Sequence, residues 1–248
     1  MKLRSHTPTR MFLFATLVCA IAVQPAMAQQ ATAAAGQSKV VAIDILLEPD
    51  ATMIQHAQAA NARLRKNYPT GFTLGGTHAP HVTVLQMYVN TASLDKVYAA
   101  ASKVLAKENP NSWKLKAVKY VYTADGAIGL GAIAAEPTAD LIRLQREMID
   151  AVAPFTVPTG SAAAFVTTPE DPDIVAPLIP YVASFARDHS GDHFTPHVTV
   201  GIGTIAFWDA MVAEPFETFT FSPAGASVYH LGNYGTAMTL LHSFKLKN

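Results

Sequence analysis

The chain has 248 residues, half of them hydrophobic and 15% charged, and its formal net charge is zero at pH 7. This length is ample for a packed core, and the composition excludes a disordered chain. The charge balance excludes a protein that coats nucleic acid, because neutralising many phosphates requires clustered Lys and Arg.

The first 28 residues have the pattern of a secretory signal peptide. Lys2, Arg4 and Arg10 form a basic start, residues 11–23 are apolar, and Ala26-Met27-Ala28 is a small-residue cleavage site. The apolar stretch is too short to span a bilayer comfortably. We therefore expect cleavage after Ala28 and a periplasmic or secreted protein that has no membrane association once it is cleaved.

Cleavage would change the composition of the mature protein. The one cysteine, Cys19, would be lost, so we expect neither a disulfide nor a thiol nucleophile. Three of the 18 basic residues and none of the 18 acidic residues would also be lost, which leaves a net charge of −3. Residues 29–38 are mostly Ala, Gln, Gly and Ser without periodicity, which predicts a flexible linker before a folded domain over residues 39–248.

The folded part predicts a mixed series of strands and helices. Val40–Leu47 is an apolar run that indicates a buried strand, and Asp50 is a plausible N-cap for a helix to about Asn67. Asp125-Gly126 is a hairpin turn signal. The other predicted strands cover residues 81–89, 112–123, 127–134, 197–202, 216–231 (which Pro223 could break) and 237–245, and the other predicted helices cover residues 92–107, 138–152, 174–187 and 206–213.

Residues 154–173 contain four prolines and are predicted to be largely loop, so we place the boundary between two lobes there. The longer insertion, residues 154–192, is open to two interpretations, a lid over a cleft or a plain surface loop. The hairpin-like turns and the mixed element order favour an α+β fold with antiparallel sheets.

The pentapeptide Pro-His-Val-Thr-Val occurs at residues 80–84 and again at residues 196–200. Residues i and i+2 of a strand share one face, so His81 projects with Thr83 and His197 projects with Thr199, while the valines turn into a core. The repeat also indicates a duplicated lobe. Two such strands that face each other would bring two imidazoles and two hydroxyls into one cleft, a set suited to acid–base chemistry at an oxyanion.

These two His-x-Thr-x motifs, each with aliphatic second and fourth positions, resemble the 2H phosphoesterase superfamily. That group includes the bacterial RNA 2′,5′-ligases and the 2′,3′-cyclic nucleotide phosphodiesterases. The resemblance implies a bilobal fold whose antiparallel sheets enclose a central cleft, with helices on the outside. It also implies that His81, Thr83, His197 and Thr199 are catalytic.

The expected activity is a metal-independent phosphodiesterase that acts on cyclic 2′,3′-type or 2′,5′-linked nucleotide phosphodiesters, with no cofactor. One histidine would activate water and the other would protonate the leaving oxygen, while the Thr hydroxyls donate hydrogen bonds to phosphate oxygens. The residues leave open which histidine is the acid. Tyr229 and Tyr234, near the last turn, are candidates for stacking on a base, with core or turn packing as the alternative.

The expected partner is a small nucleotide or an RNA-terminal phosphodiester, without a stable nucleic-acid complex, and the expected state is a monomer. No Lys or Arg lies between Arg187 and Lys245, and Gly201-Ile202-Gly203 follows the second motif where family members often carry a basic residue. Both departures weaken the case for RNA as the substrate.

Two other functions remain open at this point. One is an exported nucleotide- or ligand-binding protein of the same fold without turnover. The other is a zinc hydrolase that uses His189, His193 and His197, which are spaced by four. Because Ser190-Gly191 would break a helix through these residues, we interpret the spacing as incidental and expect no metal site.

Overall fold

A long, curled antiparallel sheet with helices packed against it makes up the described part of the chain. The computed structural model describes residues 39–169 and 171–246, and the predicted signal peptide and linker at residues 1–38 lie outside these ranges. The strands in these ranges are β1 (Val40–Pro49), β2 (Val82–Asn90), β3 (Leu115–Asp125), β4 (Ile128–Ala135), β5 (Thr156–Val157), β6 (His197–Thr204), β7 (Phe219–Phe221), β8 (Pro223–Leu231) and β9 (Ala237–Phe244). The α-helices are α1 (Ala51–Asn67), α2 (Leu94–Leu105), α3 (Ala139–Val152), α4 (Leu178–Asp188) and α5 (Ile205–Ala213).

The sheet consists of two halves that meet at one narrow junction. Its strand order is β7-β3-β4-β6-β2-β1-β8-β9, with β5 paired to β2, and neighbouring strands are antiparallel. β2 and β6 share a single registered pair, Val82 opposite Val198. Each half contains one copy of the pentapeptide, and the two copies lie side by side at the junction. The predicted α+β class with antiparallel strands is confirmed.

The two halves are interleaved in sequence. β8 pairs with β1 along residues 43–49, so the last two strands belong to the half that carries the first motif. β3 and β4 precede the Pro-rich segment, yet they lie in the half that carries the second motif. The boundary expected at residues 154–173 therefore does not divide the sheet into its halves, because each half contains strands from before and after this segment.

Helix α1 begins where the sequence predicts. The Asp50 carboxylate accepts hydrogen bonds from the backbone N–H groups of Thr52 and Met53 at 3.1 and 3.3 Å. These contacts satisfy two of the donors that a helix leaves unpaired at its start. The predicted break at Pro223 is also present, since β7 ends at Phe221 and β8 begins at Pro223.

Helix α4 begins at Leu178, four residues later than the sequence pattern indicates. The N–H of Val175 donates instead to Asn233 Oδ1 at 2.9 Å. Pro177 also disfavours a helical conformation at the preceding residue. Residues 174–177 therefore run as an irregular segment before the helix.

Two buried amide side chains on helices donate hydrogen bonds to the backbone of the motif strands. Asn61 of α1 donates from Nδ2 to the carbonyl of Val200 at 2.8 Å, and Gln145 of α3 donates from Nε2 to the carbonyl of Val84 at 3.1 Å. Val84 and Val200 are the last residues of the two pentapeptides. Each motif strand is thus fixed by a helix on the side opposite the projecting His and Thr.

The insertion at residues 154–192 packs onto the first half of the sheet. Its side chains form a second apolar cluster with the sheet, separate from the main core, made of Ala42, Tyr88, Ala164, Phe165, Leu178, Val182 and Leu231. The hydroxyl of Tyr88 donates to the carbonyl of Ile179 at 3.0 Å. In the described ranges, no helix has the length and apolarity needed to cross a membrane.

Candidate active site

The repeated pentapeptides place their side chains as strand geometry predicts. The four valines at positions 82, 84, 198 and 200 are at most 1% exposed and belong to the main core. His81, Thr83, His197 and Thr199 line one cleft of about 450 Å³. The structure therefore brings all four predicted residues together, although their motifs are far apart in sequence.

Both imidazole rings are held by the same local contact. Nδ1 of His81 lies 2.7 Å from the carbonyl oxygen of Ala79, and Nδ1 of His197 lies 2.8 Å from that of Thr195. A carbonyl only accepts, so Nδ1 carries the hydrogen and Nε2 is the nitrogen left for chemistry. Each accepting residue precedes the proline of its pentapeptide, and proline restricts the residue before it to an extended conformation.

Asp44 is a functional candidate that the sequence analysis did not select. Its carboxylate is completely buried, and its Oδ2 lies 3.4 Å from His81 Nε2. Thr83 Oγ1 and Gln86 Nε2 donate to the same oxygen at 2.7 and 3.1 Å. The sequence could have pointed to Asp44, because it is the one charged residue in the apolar run Val40–Leu47. A charge at such a position is retained only when it is paired.

The two histidines have opposite electrostatic environments. Burial opposes protonation of His81, but the Asp44 carboxylate and the Ala79 carbonyl outweigh it and raise the pKa of His81. Burial lowers the pKa of His197, and the positive charge of His81 adds to the effect. These opposite shifts favour the imidazolium form at His81 and the neutral form at His197.

The two threonines also differ. Thr83 donates its hydroxyl hydrogen to Asp44. The hydroxyl of Thr199 makes no hydrogen bond to any residue in the described ranges, and its side chain is half-buried at the cleft. Thr199 can therefore donate to a phosphate oxygen without breaking an existing contact, whereas Thr83 first has to release Asp44.

The walls of the cleft come from both sheet halves and from the insertion. Val121 and Leu130 of the β3–β4 hairpin line the cleft, and so do Val175, Leu178 and Tyr181 of the insertion. The insertion therefore contributes residues to the wall of the site.

A family model for the 2′-5′ RNA ligase superfamily matches residues 48–228, which include both motifs. The chain belongs to this superfamily. Asp44 lies just before the matched residues. No curated protein matches the chain.

Several solved structures are similar to this superfamily member. TT0787 of Thermus thermophilus is 14% identical, with 83% of this chain and 98% of that chain covered and a TM-score of 0.49. Escherichia coli LigT complexed with 3′-AMP is 13% identical, with 85% and 100% covered and a TM-score of 0.45. Usb1 of Kluyveromyces marxianus is 9% identical, with 83% and 98% covered and a TM-score of 0.41.

Of the two tyrosines expected to bind substrate, one lines the cleft and the other does not. Tyr234 lines the cleft and has a positive φ of 57°, which is uncommon for a residue other than glycine. Tyr229 lies opposite Asp44 on β8 and is not among the residues that line the cleft. Only Tyr234 is therefore placed to contact a ligand there.

The evenly spaced histidines do not form a metal centre in the described ranges. No group of three or more His, Cys, Asp or Glu side chains there is arranged to hold a metal ion. His189 follows the end of α4 and lines the cleft near Tyr181, with ring centroids 4.5 Å apart, whereas His193 is exposed.

Proposed function

We propose that the protein is a metal-independent phosphodiesterase that opens 2′,3′-cyclic nucleotide phosphodiesters or cleaves 2′,5′ linkages. The observation that carries this proposal is the pair of imidazoles in one cleft, one with a raised and one with a lowered pKa. Membership of a superfamily with phosphodiester-acting members agrees with it.

The geometry supports a division of roles between the histidines. Neutral His197 accepts a proton from water as the water oxygen attacks phosphorus. The bond from phosphorus to the leaving ribose oxygen breaks, and the His81 imidazolium protonates that oxygen. Exchange of one proton with solvent at each ring then restores the starting state. Acid–base assistance of this kind contributes about 10²–10⁴-fold in rate.

Thr199 and Asp44 support these steps in different ways. The Thr199 hydroxyl donates to a non-bridging phosphate oxygen, where charge develops during attack. The Asp44 carboxylate stabilises the protonated form of His81 and orients its ring. Asp44 is a positioning residue, because it acts through His81.

The direct test is turnover of 2′,3′-cyclic mononucleotides by the wild type and by His81→Ala and His197→Ala, with folding checked by circular dichroism. We expect each substitution to lower kcat by about 10²–10⁴-fold, and wild-type turnover to persist in EDTA. His193→Ala is the matched control, because His193 is exposed and does not line the cleft. Full activity in either cleft variant would refute the mechanism, and nucleotide binding without wild-type turnover would support the binding-protein alternative.

We also propose that the protein is exported, on the basis of the sequence pattern in residues 1–28. Fractionation of cells that express the full chain should recover it outside the cytoplasm, with a mature N-terminus at Gln29 by mass spectrometry. An uncleaved cytoplasmic protein would contradict export and leave the enzymatic proposal unaffected.

A further inference from the structure

The cleft has an unusual balance of charge for a site that acts on phosphates. Within residues 39–169 and 171–246, no Lys or Arg lines it. His81 lines the cleft and pairs with the buried carboxylate of Asp44, so a positive charge on its ring is already neutralised. A substrate phosphate beyond the one that reacts would therefore meet no neutralising side chain in the cleft.

Two arginines of helix α1 make contacts away from the residues that line the cleft. Arg63 pairs with Glu214 at 2.6 Å, and Arg65 donates to the carbonyls of Pro69 and Gly71. The sequence from residue 188 to residue 244 contains no Lys or Arg. This stretch includes the whole second motif and the strands that follow it, so the second motif has no basic neighbour in sequence.

Two carboxylates lie in or near the cleft. Asp125 lies at the end of the β3 wall and lines the cleft. Asp171 of the insertion accepts from Asn233 Nδ2 at 2.9 Å, next to Tyr234. Burial raises the pKa of Tyr234, and Asp171 and Asp125 raise it further, so both carboxylates act on this cleft residue. Further phosphates would be repelled here.

The walls instead offer apolar and aromatic surface. The apolar residues that line the cleft include Val121, Leu130, Pro177, Leu178 and Ile202. The rings of Tyr181 and Tyr234 add surfaces on which a base or another aromatic group can pack. The volume of about 450 Å³ lies in the range of sites for single small molecules.

We infer that the cleft selects a small phosphodiester with a single negative charge and an apolar or aromatic flanking group, and that it discriminates against RNA ends. This inference rests on the proposed function, since it specifies the substrate of that same site. Binding at sites that recognise several phosphates depends steeply on salt, because each neutralised phosphate of a single strand contributes about −0.7 to the slope of log K against log salt. A site that engages one phosphate has a slope no steeper than roughly −0.7.

The test compares three substrates that share one reacting group: adenosine 2′,3′-cyclic phosphate, its 5′-phosphorylated form, and a trinucleotide that ends in the same cyclic phosphate. We expect kcat/KM to fall at least about tenfold from the first to the second, and the trinucleotide to be no better than the second. For adenosine 2′,3′-cyclic phosphate, kcat/KM should depend only weakly on salt concentration. Equal values for the three substrates, or a rise with chain length and a steep salt slope, would overturn the inference.

A charge placed in the cleft provides a matched pair of variants. Thr123 is exposed, lines the cleft and pairs with Leu130 across the β3–β4 hairpin. Thr123→Lys should reduce the penalty for the 5′-phosphate, whereas the uncharged Thr123→Gln should not. An identical penalty in both variants would contradict the electrostatic explanation.

Binding separates this inference from the proposed function. If the wild type turns over none of the three substrates, the proposed function fails. Calorimetric titration with adenosine 3′-monophosphate and adenosine 3′,5′-bisphosphate then tests the charge preference alone. Binding at least about tenfold weaker for the bisphosphate supports the inference, and equal or tighter binding overturns it.

Discussion

Asp44 Oδ2 lies 3.4 Å from His81 Nε2. Asp44 is on β1, which pairs with β2, the strand that begins directly after His81. This contact makes the two motifs chemically unequal although their five residues are identical. No acidic side chain in the described ranges forms an ion pair or hydrogen bond with His197. The surroundings of the identical pentapeptides therefore raise the pKa of one imidazole and lower that of the other.

The first prediction concerns the pH dependence of turnover and the Asp44→Asn variant. His197 is active when neutral, so activity rises with pH through its lowered pKa, and it falls as His81 loses its proton at a raised pKa. The wild type should give a bell-shaped profile with its plateau between the two. Because Asp44→Asn removes the anion that stabilises the imidazolium, its falling limb should move to lower pH, as measured by kcat/KM against pH.

Asp95→Asn, at an exposed position on α2, serves as the control for loss of one carboxylate. Its profile should match that of the wild type. An unchanged falling limb in Asp44→Asn would show that Asp44 has no effect on the acid.

The second prediction separates the two threonines. Thr199→Val removes a donor to the phosphate and should lower kcat by about 10²–10³-fold, with little change in the urea midpoint. Thr83→Val removes a hydrogen bond to a buried carboxylate and should lower the free energy of unfolding by about 1.5–3 kcal/mol. Thr199→Ser keeps the hydroxyl and should retain most of the activity. Thr83→Val could instead lower kcat as much as Thr199→Val does and leave stability unchanged. That result would mean that both hydroxyls donate hydrogen bonds to the phosphate.

The third prediction concerns the amide of Asn61 behind the second motif. Asn61 donates to the carbonyls of Val200 and Phe72 and accepts from the N–H of Leu74. Asn61→Ala leaves these buried groups without partners, at a cost of about 1–3 kcal/mol for each group that water cannot reach. Gln58→Ala, at an exposed position of the same helix, should change stability by less than about 0.5 kcal/mol. Similar urea midpoints for the two variants would show that the Asn61 contacts contribute little.

The fourth prediction concerns the absence of a side chain at position 131. A Cβ at Gly131 would overlap Cζ2 of the buried Trp208 ring. Gly131→Ala should therefore destabilise the fold by about 1–3 kcal/mol through overpacking. In a Trp208→Leu background the same substitution should cost less, and a double-mutant cycle measures the difference. Strictly additive effects would mean that the clash is relieved elsewhere.

The local features of this protein follow from residues that are close together along the chain. The alternation in Pro-His-Val-Thr-Val fixed which side chains face the core, because successive residues of a strand point to opposite faces. The cap at Asp50 and the turn at Asp125-Gly126 also follow from short-range chemistry. Each depends on residues a few positions apart.

Contacts between distant residues depend instead on how the strands pair in the folded protein. Pairing of β8 with β1 interleaves the two halves, and it places Tyr229 beside Asp44 rather than in the cleft. The register between β1 and β2 gives Asp44 its partners at His81 and Thr83, and this register depends on contacts along the whole strand. Local conformational preferences act over single turns and hairpins. The difference in pKa between the two histidines arises instead because strand pairing buries the Asp44 carboxylate beside His81.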